Sequence, residues 1–355
     1  MKALVIAEKD ALPVWTSVAD PVAGPGEAIV RVHAAALNHR DVWIQRGQYA
    51  ELRWPIIVGS DGAGIVAAVG PGAGGTAGAE DAAAAGSAAG SGSAGGEWIG
   101  KAVIIDPSIG WGEAEGFQSP TGFSVLGLPA DGTLAEYVRV PVANLVEKPA
   151  HLSWEEAAAL PLAGITAFRS VVVRARVRPG ERVLITGVGG GVALFAMQFA
   201  VAVGASVYVT SGSEVKLSAA IALGAAGGVN YKDAGWVGSL RSIAGGGFDV
   251  IIDGAAGSSV NDLLDLAVPG GRVVFYGATL GNAPDVLIRR IFWKQLNILG
   301  STMGSPADFA AMAAFVSSHG LRPVVDSVFS PLDGAAAFAR MEEGGQFGKI
   351  VLQIK

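Results

Sequence analysis

Val183-Leu-Ile-Thr-Gly-Val-Gly-Gly-Gly-Val-Ala-Leu-Phe-Ala196 places a short apolar run before a cluster of glycines and a helix-periodic apolar run after it. This predicts a buried strand, a tight turn and a helix. The glycines have a chemical use, because a backbone without Cβ atoms can approach a pyrophosphate closely and the helix start offers it unpaired N–H groups. Gly187 opens the turn, Gly190 is where the backbone closes on the phosphates, and Gly191 precedes a helix from Val192. Ala193 replaces the third glycine of such turns and still allows close helix-to-strand packing.

Residues 183–213 carry no charged side chain, and about 20 apolar residues suffice to span a bilayer. Gly187, Gly189, Gly190, Gly191 and Gly204 instead divide the stretch into strand, turn, helix and strand, the texture of a buried βαβ unit. Further strands are expected at 206–210, 227–230, 248–252 and 272–276, with helices over 213–223 and near 258–266. Strands alternating with helices predict a doubly wound parallel sheet in an α/β fold.

The end of the second strand of such a sheet carries an acid where a ribose 2′-hydroxyl is to be bound. Here Tyr208-Val-Thr-Ser-Gly-Ser213 offers hydroxyls, with Ser211 foremost, and Lys216 follows one turn into the next helix. A 2′-phosphate prefers hydroxyl donors and an ammonium to a carboxylate, so the expected cofactor is NADPH. Glu214 is read as a first-turn acid suited to the helix dipole, and Tyr231, past the third strand, as flanking the adenine or the phosphate.

The 355 residues suggest two domains at about 150 residues each. Twenty-five Lys and Arg against 31 Asp and Glu give a net charge of -6, so no nucleic-acid partner is expected. The absence of cysteine excludes disulfide frameworks, thiolate nucleophiles and Cys-ligated metals. The apolar run at the N-terminus is too short for a signal peptide, and a cytoplasmic protein without a membrane span is expected.

The first third reads as short strands, at 3–7, 28–36 and 56–69, bounded by Pro, Gly or Asp, which is β-barrel texture. Of the 26 residues from 71 to 96, 10 are Ala, 9 Gly and 3 Ser, a linker-like insertion too poor in apolar side chains to bury much. Strands resume at 102–105 and 134–140, around a long irregular excursion over 107–128.

Leu37-Asn-His-Arg-Asp41, Gly59-Ser-Asp-Gly-Ala-Gly64, Leu160-Pro-Leu-Ala-Gly-Ile-Thr-Ala167, the glycine turn and Ile298-Leu-Gly-Ser-Thr-Met303 together resemble the medium-chain dehydrogenase/reductase superfamily, in its zinc-independent quinone oxidoreductase and alcohol-dehydrogenase-like branch. The likeness covers the chain outside the insertion. It implies a GroES-like β-barrel catalytic domain of residues 1–155 and 303–355, a Rossmann domain over 156–302, and a homodimer or homotetramer.

Zinc-dependent members carry a Cys where Asn38 stands and a His-Glu pair where this chain has Ser60 and Asp61. A third ligand would fall near Pro161 or Leu162, so no metal is expected. His39 or Asp61 could still enter the chemistry, a point the residues leave open. With no Lewis acid, hydrogen-bond donors must stabilise negative charge on the acceptor oxygen, and Asn38 and Tyr49, which aligns with a family tyrosine, are the candidates. Asp41 is read as orienting Asn38 or Arg46. Thr166 resembles the threonine on the nicotinamide side of the cofactor. Gly277 and Thr279, after the fifth strand, and Ser301 and Met303, after the sixth, lie at carboxyl strand ends where such sheets bind ligands.

The expected activity is hydride transfer from NADPH to a small electrophile: a quinone, an enone or a reactive aldehyde. Alternatives are an alcohol-dehydrogenase-like enzyme acting on simple alcohols and aldehydes, and a non-catalytic NADPH-binding sensor or structural protein. Trp43, Trp54, Trp111 and Phe123 suggest an apolar substrate mouth.

Overall fold

Among the described residues, short runs punctuated by Gly and Pro make ten strands in the first part of the chain. They are β1 (Lys2–Ile6), β2 (Val14–Ser17), β3 (Glu27–Ala36), β4 (Ile56–Ile57), β5 (Asp61–Val69), β6 (Ala102–Ile105), β7 (Ser108–Ile109), β8 (Ser124–Val125), β9 (Tyr137–Pro141) and β10 (Leu145–Glu147). The stretch 56–69 is two strands rather than one, because Gly59, at φ 103°, turns the chain between them. A computed structural model describes residues 1–71 and 96–355 of the chain, so the Ala/Gly/Ser-rich insertion lies, but for its two ends, outside the described residues.

By internal contacts the chain forms two units. The first comprises Met1–Pro161, Val328–Glu343 and Ile350–Lys355. Its main sheet follows the order β10-β6-β5-β3-β18-β17, where β17 is Val325–Phe329 and β18 is Lys349–Gln353, and β9 also pairs with β3. Leu37, Ile44, Ile56, Leu134 and Phe338 pack in its core. Each such enclosed side chain contributes about 1.5–3 kcal/mol. Helix α1 (His39–Gln45) starts directly after Asn38 and was not legible as a helix, since seven residues hold too few periods to show one.

The second unit is Leu162–Ser327 with Gly344–Lys349. Its six parallel strands are β11 (Arg182–Ile185), β12 (Ser206–Ser211), β13 (Gly227–Asn230), β14 (Phe248–Asp253), β15 (Ala267–Phe275) and β16 (Asn297–Gly300), in the order β13-β12-β11-β14-β15-β16. Helix α2 (Trp154–Ala159) packs on β3 and β5 of the first unit, α3 (Pro161–Phe168) begins the second, and α4 (Gly191–Val203), α5 (Glu214–Ala222), α6 (Trp236–Ala244) and α7 (Val260–Leu266) connect its strands. The fold is thus the expected α/β architecture: a GroES-like β domain and a Rossmann-type parallel sheet.

Residues 303–327 pack in this second unit, whereas the sequence reading assigned them to the barrel. Phe315, on α9 (Pro306–Ser318), packs edge-on against Phe168 at 5.8 Å and Phe199 at 5.7 Å, and Asp308 pairs with the buried Arg169. Aromatic contacts of this kind are invisible until both partners are placed. After α8 (Ile288–Lys294) and α9, the chain gives α10 (Gly334–Glu343) and β18 to the first unit.

Candidate functional site

In the second unit, β11 delivers the chain into the glycine turn and α4 carries it away. Gly187, at φ 64°, donates its N–H to Thr210 Oγ1 (3.2 Å), and Val188 donates to the Thr210 carbonyl (2.8 Å), which hooks the turn to the end of β12. Gly190 is the N-cap of α4, and Gly191 and Val192 form its first turn. A Cβ built on Gly190 meets no heavy atom within 4 Å, so open space faces the backbone at this point.

The segment Gly344–Lys349, which the sequence reading did not connect with the turn, covers its other side. Gly348 donates to the Gly189 carbonyl (2.9 Å), and a Cβ on Gly191 would lie 2.8 Å from Lys349 Cδ. Lys216 folds back from α5 to the same place: its Nζ donates to the Gly344 carbonyl at 3.0 Å.

At the end of β12, Ser211 is buried and its hydroxyl donates to the Val188 carbonyl (3.1 Å). Ser213 caps α5 by accepting from Lys216 N–H. Glu214 Oε1 accepts from Asn230 Nδ2 at 3.0 Å. Tyr231 is half exposed, and its hydroxyl lies over Gly212 together with the tail of Lys232.

At the carboxyl ends of the next strands, Thr279 donates its N–H to the Gly254 carbonyl (3.2 Å), and a Cβ on Gly277 would lie 2.9 Å from the same oxygen. Ser301 donates its N–H to Phe275 (2.9 Å), while its hydroxyl is enclosed without a partner. Met303, at φ 45°, approaches Thr166, whose hydroxyl donates to the Leu162 carbonyl at 2.8 Å. Asp253 closes this edge and accepts from Thr186 Oγ1 and from the N–H groups of Ala255 and Ala256. Burial holds its carboxyl above the usual range against these hydrogen bonds, and burial also pushes the Tyr276 phenol up, with the Asp253 charge adding to it.

These residues fit a dinucleotide. The open cradle at Gly190, the orphaned Ser301 hydroxyl and two lysines on the glycine turn would receive phosphates and a polar ring substituent.

In the first unit, Asn38 caps α1. Its backbone N–H donates to Asp41 Oδ2 (2.8 Å), its side-chain amide donates to Asp61 Oδ2 (2.9 Å), and Gly59 N–H donates to Asp41 Oδ1 (3.2 Å). Asp41 and Asp61 are fully enclosed. Arg40, missed in the sequence although it lies inside the motif, is buried. Its Nη1 donates to Ser60 Oγ (2.7 Å) and the Leu126 carbonyl (2.8 Å), and its guanidinium stacks 5.2 Å from the Tyr49 ring centroid.

This donor set does not fit a catalytic zinc. Such a site wants about three protein ligands. Here Asn38 turns a side-chain N–H toward the Asp61 carboxylate, and Ser60 is bound to a permanent cation. Among the described residues, no three His, Cys, Asp or Glu side chains converge on a common point. His39 packs against Trp43, their rings 6.0 Å apart. The four aromatics read as an apolar mouth are differently placed. Trp43 is exposed, but Trp111 is buried edge-on against Phe123 and Trp54 packs on the barrel core.

Residues 24–150 match the family described as alcohol dehydrogenase GroES-like domain, and residues 191–318 match the zinc-binding dehydrogenase family. The chain belongs to the medium-chain dehydrogenase/reductase superfamily of oxidoreductases. Zinc-type alcohol dehydrogenase-like protein YogA of Leptosphaeria maculans is 36% identical over 352 residues, which cover 95% of this chain and 93% of that protein. Quinone oxidoreductase of Pongo abelii is 29% identical over 352 residues, covering 97% and 94%. A crystal structure of an NAD-dependent alcohol dehydrogenase superimposes with a TM-score of 0.88 at 37% identity and 100% coverage of both chains.

Proposed function

We propose that this oxidoreductase uses NADPH, without a catalytic metal, to reduce a quinone, an enone or a reactive aldehyde. The observation that carries the reading is the Asn38–Asp61 hydrogen bond, which commits the position of a family zinc ligand to donating rather than coordinating. NADPH bound at the glycine turn would supply a hydride to the electrophilic carbon or quinone oxygen. The chain's part is to orient the reactants and to meet the negative charge that develops on the acceptor oxygen. Asn38 and Tyr49 are the donors for that oxygen, Arg40 adds a fixed positive charge beneath the Tyr49 ring, and Asp41 holds Asn38 in place through its backbone. A proton from water completes the reduction. Thr166, Gly277, Thr279, Ser301 and Met303 are proposed to hold the nicotinamide end.

The preference for NADPH rests on the end of β12, where hydroxyls and Lys232 gather and Glu214 is tied to Asn230. The test mixes chelator-treated protein with NADPH or NADH and a panel of quinones, enones and aldehydes. Turnover with NADPH and less than about a tenth of a zinc per chain are expected, since one structural zinc would give a whole equivalent. Turnover that needs added zinc would overturn the reading, and oxidation of NADPH by no acceptor would leave a binding protein instead.

The likeness to an NAD-dependent alcohol dehydrogenase favours a second reading, in which simple alcohols are oxidised. The same preparation assayed with alcohols and NAD or NADP separates the two.

A second copy of the chain is the proposed partner. Strand β16 lies at the edge of the parallel sheet, and Ile288, Phe292 and Trp293 of α8 are exposed beside it. An open edge strand and an uncovered apolar helix are the features that oligomers cover. Sedimentation at micromolar concentration should give a dimer or tetramer. Cytoplasmic location is part of the same proposal. Among the described residues no helix is long and apolar enough to cross a membrane.

A further inference from the structure

We infer that Arg40 is the positioning residue that sets which acceptors this site reduces. Its enclosed charge acts through the Tyr49 phenol on the acceptor oxygen, and it matters most where that oxygen becomes most basic. The inference rests on the proposed reduction and names the groups that tune it.

Arg40 is 7% exposed and forms no ion pair among the described residues. Its nitrogens meet neutral acceptors instead. Nη1 donates to Ser60 Oγ (2.7 Å) and the Leu126 carbonyl (2.8 Å), Nη2 donates to the Val125 carbonyl (3.4 Å), and Nε is enclosed without a partner. Ser60 Oγ donates in turn to the Leu126 carbonyl (2.7 Å). Such dipoles hold a guanidinium in place without cancelling its charge. The two carboxylates of the corner are engaged elsewhere: Asp41 accepts from the N–H groups of Asn38 and Gly59, and Asp61 from the Asn38 amide. A cation taken out of water without an ion pair is costly, and a fold that keeps one has a use for it.

Tyr49 supplies the use. The guanidinium carbon lies 5.2 Å from its ring centroid and the ring is exposed, so the phenol stands between an enclosed cation and solvent. A cation against a ring face draws on its π electrons and leaves the hydroxyl a stronger donor. In the reduction the acceptor takes a hydride, its π pair moves to oxygen, and water then protonates that oxygen. An aldehyde gathers the charge on one alkoxide oxygen, an enone spreads it over an enolate, and a quinone spreads it over an aromatic ring. The more localised the charge, the more it gains from the phenol and the cation behind it. The same cation, 2.7 Å from Ser60 Oγ, repels a divalent metal ion drawn to that oxygen.

A double-mutant cycle read as a ratio tests this. Single-turnover rate constants of NADPH oxidation are measured with two acceptors that the parent reduces, chosen so that their reduced oxygens differ most in basicity. The variants are Arg40→Met, Arg40→Lys, Tyr49→Phe and the two doubles. A ratio of rate constants does not depend on how much of a variant folds. Arg40→Met should shift it about tenfold against the more basic oxygen, which is what one cation–ring contact supplies. Arg40→Lys keeps the charge and gives up the fork, so it should slow both acceptors and hold the ratio within about threefold. In the Tyr49→Phe background neither change should move the ratio by more than about twofold. Equal slowing of both acceptors by Arg40→Met would make Arg40 only a clamp on Val125 and Leu126. A shift that persists in the Tyr49→Phe background would bypass the phenol, and a tenfold shift in Arg40→Lys would deny the charge its part. Each of these overturns the inference and leaves the proposed reduction standing. A parent that oxidises NADPH with no acceptor removes the reduction, and the inference with it.

Discussion

The Asn38 amide donates to Asp61 across 2.9 Å inside an enclosed corner of the barrel unit. The contact joins two motifs 23 residues apart and decides the character of the corner, because it turns an amide N–H, rather than an oxygen lone pair, toward the carboxylate.

Replacing Asn38 by Asp would set two carboxylates about 3 Å apart, where both cannot ionise cheaply. At about pH 5 a shared proton would relieve the pair, and at about pH 8 the repulsion would be full. The melting temperature of Asn38→Asp should therefore fall further below the parent at the higher pH. A gap that does not change with pH would mean that the two side chains are not in contact.

Gly190 separates folding from binding. Its backbone angles, φ −79° and ψ 159°, suit alanine, and a Cβ there touches nothing in the protein. Gly190→Ala should melt within about a degree of the parent, yet bind NADPH about tenfold or more weakly, because the methyl group would enter the space proposed for the phosphates. Undiminished affinity by fluorescence titration would move the diphosphate elsewhere.

Tyr49→Phe removes one hydroxyl and keeps the ring against the Arg40 guanidinium. If the hydroxyl meets the developing oxyanion, kcat for the best acceptor should drop by about tenfold or more while the NADPH dissociation constant is unchanged. An unchanged kcat would make the ring a platform for Arg40 only.

Asp253 gives a pH signature. Burial raises its carboxyl pKa above the unfolded value, so its contribution to stability is full below the unfolded pKa and is lost as the pH rises through the folded one. Asp253→Asn imitates the neutral acid. The parent should lose stability relative to this variant as the pH climbs from about 4 through the mildly acid range, where an upshifted carboxyl titrates. Denaturant midpoints that stay parallel across that range would contradict the shift.

Much of the fold was legible because its signals are local. The strand, glycine turn and helix from Val183 to Ala196 read directly, since β-branched runs and missing Cβ atoms act within a few residues. Shorter elements hid: α1 is a capped helix of about two turns, and α6 (Trp236–Ala244) carries Gly238 within it. At the site, Asn38, Asp41 and the turn glycines were legible as motif positions. Arg40 was not, because its neighbours, Ser60 and Leu126, come from segments 20 and 86 residues away.

The linear chain by itself determined the class of the protein: a strand and a glycine turn feeding a helix, a second strand ending in hydroxyls, and no cysteine to hold a metal. These follow from backbone freedom, side-chain shape and composition, which need no partner. Tertiary structure alone decided what each charged group does. Lys216 is one helical turn from Ser213 in the sequence, but its ammonium answers to Gly344, 128 residues away, and Lys232, unremarked in the sequence, stands over Gly212 instead. A long flexible side chain takes its position from whichever carbonyl the fold brings within reach.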